Sequence, residues 1–133
     1  MPSAVHVDAN VILRLLLGEP EPQARAAEAF FARAARGEFR IRIYPAVLAE
    51  VVYVLTSPGS RGCPARVADA LRALLTLDGV EVPDLEPTLA ALRCFEETSL
   101  DWVDCLLLSY GPELPVYTFD EAVIRAGGRP PEA

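Results

Sequence analysis

The sequence predicts an α/β fold, a three-layer α/β/α sandwich with a short parallel sheet of four or five strands, in one domain over residues 1–133. Three observations carry this. Short apolar or alternating runs at residues 4–8, 39–44, 80–82 and 115–119 read as strands. Between them lie stretches whose apolar residues recur at helical spacing. No repeat, linker or low-complexity block interrupts the alternation, so consecutive strands are joined by helical crossovers and lie parallel, with helices on both faces.

Each element has a local cause. Residues 4–8 form the first strand and run into a helix at about 10–17, which Gly18 stops. Glu19-Pro20-Glu21-Pro22 is a turn that places acids at the start of the next helix, where the dipole favours them. That helix spans about 22–36, with Ala24, Ala27, Phe31 and Ala34 or Ala35 on one face, and Gly37 ends it. Residues 39–44 alternate apolar and basic. Pro45 opens a third helix, 46–55, and the Ser-, Pro- and Gly-rich residues 57–62 form a loop. A fourth helix starts near Pro64 with the stripe Val67, Leu71, Leu74 and Leu75. Asp78-Gly79 turns the chain into the strand at 80–82. The fifth helix, about 86–97, has Leu85, Leu89, Leu92 and Phe95 as its apolar positions. Ser99 or Asp101 caps a sixth, about 102–110, which Gly111-Pro112 breaks. The strand at 115–119 leads through Asp120 into a short helix, 121–126, closed by Gly127-Gly128, and the Pro-rich tail 129–133 either frays or adds a short edge strand.

Composition removes several function classes. The net charge is −7, with 19 acids against 12 bases, so a general polyanion-binding surface is not expected. A nuclease is still allowed, because there acids gather metal ions. All 12 bases are Arg. Without Lys the chain holds no Walker-type loop, no Schiff-base lysine and no phospho-receiver site. It also lacks a Gly-rich phosphate loop after the first strand and a Gly-x-Ser-x-Gly elbow. The single His6 lies in a strand, and Cys63, Cys94 and Cys105 are scattered, which disfavours a Ser or Cys triad and a zinc site and suits free thiols. Residues 1–4 have no basic region and no apolar core, so no signal peptide is expected and the cytoplasm is the default address.

Carboxylates in apolar company remain. Glu50 sits mid-helix in Ala46-Val47-Leu48-Ala49-Glu50-Val51-Val52-Tyr53, and Asp104 in Trp102-Val103-Asp104-Cys105-Leu106. Helices apolar nearly all round are buried, and a buried carboxylate needs a partner or a proton. An Arg such as Arg14 or Arg93 is one partner; a divalent cation is another. Asp8 and Asp120 each follow a strand, where an open α/β sheet has its ligand crevice, although each is also placed to cap the helix after it. Four such acids make an oxygen-only site that suits Mg²⁺ or Mn²⁺ and not zinc. Arg40 and Arg42 line a solvated strand face or meet RNA.

With these residues in order, the chain resembles the PIN-domain family, and most closely its small ribonuclease toxins of VapC type. Val7-Asp8-Ala9-Asn10 looks like the first motif and Glu50 like the second acid. Leu100-Asp101-Trp102-Val103-Asp104 looks like the third motif, and Tyr117-Thr118-Phe119-Asp120 like the last. The resemblance implies a Mg²⁺- or Mn²⁺-dependent endoribonuclease in which Asp8, Glu50, Asp104 and Asp120 are the metal and catalytic acids. Asn10 and Thr118 are then supporting donors, and Asp101 an outer ligand or a helix cap. It also implies an RNA substrate, a small antitoxin partner and a homodimer. Two other readings stay open: a non-catalytic PIN-like module that binds RNA or protein, and a phosphatase with an Asp-x-Asp motif, in which Asn10 replaces the second Asp.

Overall fold

The computed structural model describes residues 3–59 and 62–132; the N-terminal Met1-Pro2, the loop positions Ser60 and Arg61, and the last tail residue Ala133 lie outside the described residues. The chain divides into two compact units, Met1–Asp84 and Leu85–Ala133.

The first unit holds the sheet. β1 (Ala4–His6), β2 (Arg40–Arg42) and β3 (Val80–Glu81) are parallel and lie in the order β1-β2-β3, with Val5 opposite Ile41 and Ile41 opposite Val80. Its helices are α1 (Ala9–Leu17), α2 (Glu21–Ala35), α3 (Pro45–Thr56) and α4 (Pro64–Leu75). The buried side of α2 is Ala24, Ala27, Phe31 and Ala34, and that of α4 is Val67, Ala68, Leu71, Leu74 and Leu75, as their spacing requires. Ile41, Ile43 and Leu48 are fully enclosed, so the core forms where the middle strand meets the helices. Gly18 ends α1 in the left-handed region (φ 74°), and its N–H returns to the Arg14 carbonyl. Glu81 on β3 takes two hydrogen bonds from Arg40, each at 3.2 Å, and one from Arg42 Nε at 3.1 Å. Glu81 first, and then Tyr44, hold the Arg42 guanidinium even more firmly protonated than usual. The two strand arginines are therefore committed to an acid on the neighbouring strand.

The second unit contains α5 (Leu85–Glu97), α6 (Trp102–Leu108) and α7 (Glu121–Arg125). Two expectations need correction. The sheet has three strands among the described residues, not four or five. Residues 115–119 form no strand but a single parallel bridge, Tyr117 to Arg129, closed by Thr118 N–H to the Arg129 carbonyl and Arg129 N–H to the Val116 carbonyl. The tail meets this run at that one point. The buried face of α5 is Thr88, Ala91, Leu92 and Phe95, rotated from the Leu85–Leu89 line because Thr88 is enclosed with its polar atoms partnered. Among the described residues, no helix is long and apolar enough to cross a membrane.

Candidate metal and nuclease site

In the first unit, Asp8 stands where β1 hands over to α1. Its backbone is extended, and its Oδ1 accepts the Val11 N–H at 3.2 Å, capping the helix. Cap and ligand are compatible roles, because Oδ2 remains available. Asp8 and Asn10 are exposed and line a cavity of ≈ 820 Å³. The lining also takes in His6 from the end of β1, Arg14 from α1, Gln23 and Phe30 from α2, and Tyr44 at the start of α3. Arg14 had a visible signal, a lone cation in an apolar helix. Gln23, Phe30 and Tyr44 had none, since they meet only through tertiary packing.

Glu50 departs from expectation: it is exposed. The buried line of α3 is Leu48, Val51, Val52 and Leu55, so one turn of helix puts Glu50 with Tyr53 (76% exposed) and Val54 (41%) on the open side. An apolar sequence on every face did not mean a covered helix. Glu50 is not among the residues lining the cavity at Asp8.

In the second unit the structure brings Asp101, Asp104 and Asp120 into one electrostatic neighbourhood. Asp104 lies half-buried in the first turn of α6, between buried Trp102 and Cys105. Burial, and then the charges of Asp101 and Asp120, raise its carboxyl above the usual carboxylate range. Asp101 occupies the N-cap position of α6, yet its side chain makes no capping bond. Asp120 caps α7: its Oδ1 accepts from Ala122 N–H at 2.8 Å and Val123 N–H at 3.1 Å. Thr118 supports it, its Oγ1 accepting the Asp120 N–H at 3.0 Å. Among the described residues, neither Glu50 nor Asp104 is paired with an arginine.

These acids offer oxygen donors only, and the half-buried Asp104 is crowded by two others with no counter-charge among the described residues. That chemistry fits a hard divalent cation. Among the described residues, however, no three His, Cys, Asp or Glu side chains form a ready metal cage. The PIN domain family model matches residues 5–126. The chain belongs to the PIN-domain family. PIN domains are in general metal-dependent nucleases and typically bind Mg²⁺ or Mn²⁺. No curated protein matches this chain.

Proposed function

We propose that this PIN domain is a Mg²⁺- or Mn²⁺-dependent endoribonuclease of VapC type, the toxin half of a type II toxin–antitoxin pair. The observation that carries the reading is the placement of Asp104, an acid pressed by two neighbouring carboxylates and, among the described residues, left without a cationic partner. The match across residues 5–126 reaches into both units and supports taking residues 1–133 as one PIN-like domain.

Asp8, Glu50, Asp104 and Asp120 are the acids that hold the cation and do the catalytic work. A bound divalent cation supplies positive charge for the scissile phosphate and for acidifying water. Asp8 and Asp104 are the primary ligands. Asp120, fixed by its two cap bonds, presents Oδ2, and Glu50 is free to orient the attacking water. Asn10 and the Thr118 hydroxyl donate hydrogen bonds, and Asp101 acts from the outer sphere. Water adds to phosphorus, the bridging P–O bond breaks, and the departing ribose oxygen takes up a proton. The toxin role brings a small antitoxin partner, a homodimer and a cytoplasmic address.

The test is cleavage of single-stranded RNA by the full chain with Mg²⁺ or Mn²⁺. Cleavage is expected from the native chain and lost in Asp104→Asn and Asp8→Asn. Equal cleavage by Asp104→Asn would overturn this site. A native chain that binds RNA without cutting it would make the protein a binding module.

A further inference from the structure

The cavity beside Asp8 is lined by hydrogen-bond donors and aromatic rings as well as by Asp8. We propose that it holds an unpaired nucleobase of the RNA next to the cut, and that Arg14 and Gln23 select a base with an acceptor edge, guanine above all. This rests on the ribonuclease reading above. Arg14 Nε donates to Gln23 Oε1 at 2.6 Å across α1 and α2. That bond occupies one lone pair of Gln23 Oε1, the only acceptor atom of the two side chains. What they still offer is mainly N–H groups, the Gln23 amide donors and the remaining guanidinium donors, against one remaining lone pair. Arg14 has no carboxylate partner among the described residues, in a chain of net charge −7.

Apart from Asp8 and Asn10, the rest of the lining is mostly aliphatic and aromatic. Phe30 is one of the aromatic residues of the lining. Tyr44 and His6 are two more, their rings edge to face with centroids 5.3 Å apart. Single-stranded bases are recognised by this combination, an aromatic surface for stacking and donors at the edge. An arginine reads guanine through O6 and N7. At ≈ 820 Å³ the cavity lies within the range of small-ligand sites. Asp8 and Asn10 line the same cavity, so a phosphate held at Asp8 places the adjoining base within reach. A protein segment is the rival occupant, but N–H donors and aromatic rings in one cavity with Asp8 fit a base better.

The experiment sequences the ends cut by the full chain from a random single-stranded RNA pool with Mn²⁺. Arg14→Ala and Gln23→Glu are compared with the native chain, and thermal melts confirm that both fold. A guanine preference on one side of the cut is expected, falling by roughly five- to a hundredfold in each variant while cleavage continues. An unchanged preference in both variants overturns the proposal. If the native chain does not cut, the ribonuclease reading fails and the pocket is judged separately, by NMR titration with guanosine 5′-monophosphate. Shifts at the Val11, Gln23 and Tyr44 amides that vanish in Arg14→Ala support the base site, and silence at millimolar nucleotide overturns it. A co-purifying protein released by Arg14→Ala, with the cutting pattern unaltered, assigns the cavity to a protein and also overturns it.

Discussion

Asp101 and Asp104 sit three residues apart at the start of α6, and the charge of the first, added to burial, raises the proton affinity of the second. Asp120 acts in the same sense. An acid whose folded pKa lies above its unfolded value binds more protons when folded, so stability falls as pH rises from the ordinary value of 3.8 through the raised one. Above that window the folded state carries the full penalty of the charge. Asp104→Asn therefore raises the melting temperature of the metal-free protein at neutral pH and flattens its fall between acid and neutral pH. Thermal melts across that range check this.

Asp120 does two jobs that substitution can separate. Its Oδ1 holds two N–H groups of α7, and its carboxylate serves the proposed cation site. Asp120→Ala loses both, at a stability cost of about 0.5–2 kcal/mol. Asp120→Ser keeps a capping oxygen, so stability is nearly retained while RNA cleavage falls as far as in the alanine variant. Urea unfolding beside a cleavage assay distinguishes them.

Two glycines test how tightly the first unit is built. Both have positive φ, 74° at Gly18 and 85° at Gly79. A Cβ on Gly18 meets nothing, so Gly18→Ala costs the conformational strain of about 1–2 kcal/mol alone. A Cβ on Gly79 runs into the Ala34 backbone carbonyl at the end of α2. Gly79→Ala is the more damaging of the two in urea unfolding, because backbone cannot move aside as a flexible side chain would.

The three thiols differ in reactivity. Cys63 is exposed, whereas burial and then the Cys94 hydrogen bond push the Cys105 thiol up to about 12. At pH 8 a thiol reagent modifies Cys63 first and Cys94 more slowly, and Cys105 reacts only on unfolding. Mass spectrometry of the labelled peptides reads this directly.

The local grammar of the chain was legible. Helical spacing placed the buried faces of α2 and α4, and the Asp8 and Asp120 caps follow from acids standing directly before helices. What failed was inference from apolarity to enclosure. Glu50 lies in an apolar helix but on its uncovered side, since composition does not say which faces neighbours occupy. Residues 115–119 have strand-like composition, but pairing depends on a distant partner, and Arg129 supplies one bridge. For the same reason the cavity residues Gln23, Phe30 and Tyr44 left no trace in any local pattern.

Trp102 gives the most direct test of the cation site. It is the only tryptophan, it is buried, and it adjoins Asp101 and lies two residues before Asp104. Mn²⁺ is paramagnetic and quenches a nearby indole. Titration of the full chain with Mn²⁺, read by Trp102 fluorescence, should give saturable quenching in the native protein. In Asp104→Asn the midpoint should move to higher metal by at least the roughly ten- to a hundredfold that follows loss of a supporting group. Superimposable curves for the two proteins would contradict the claim that these carboxylates gather a divalent cation.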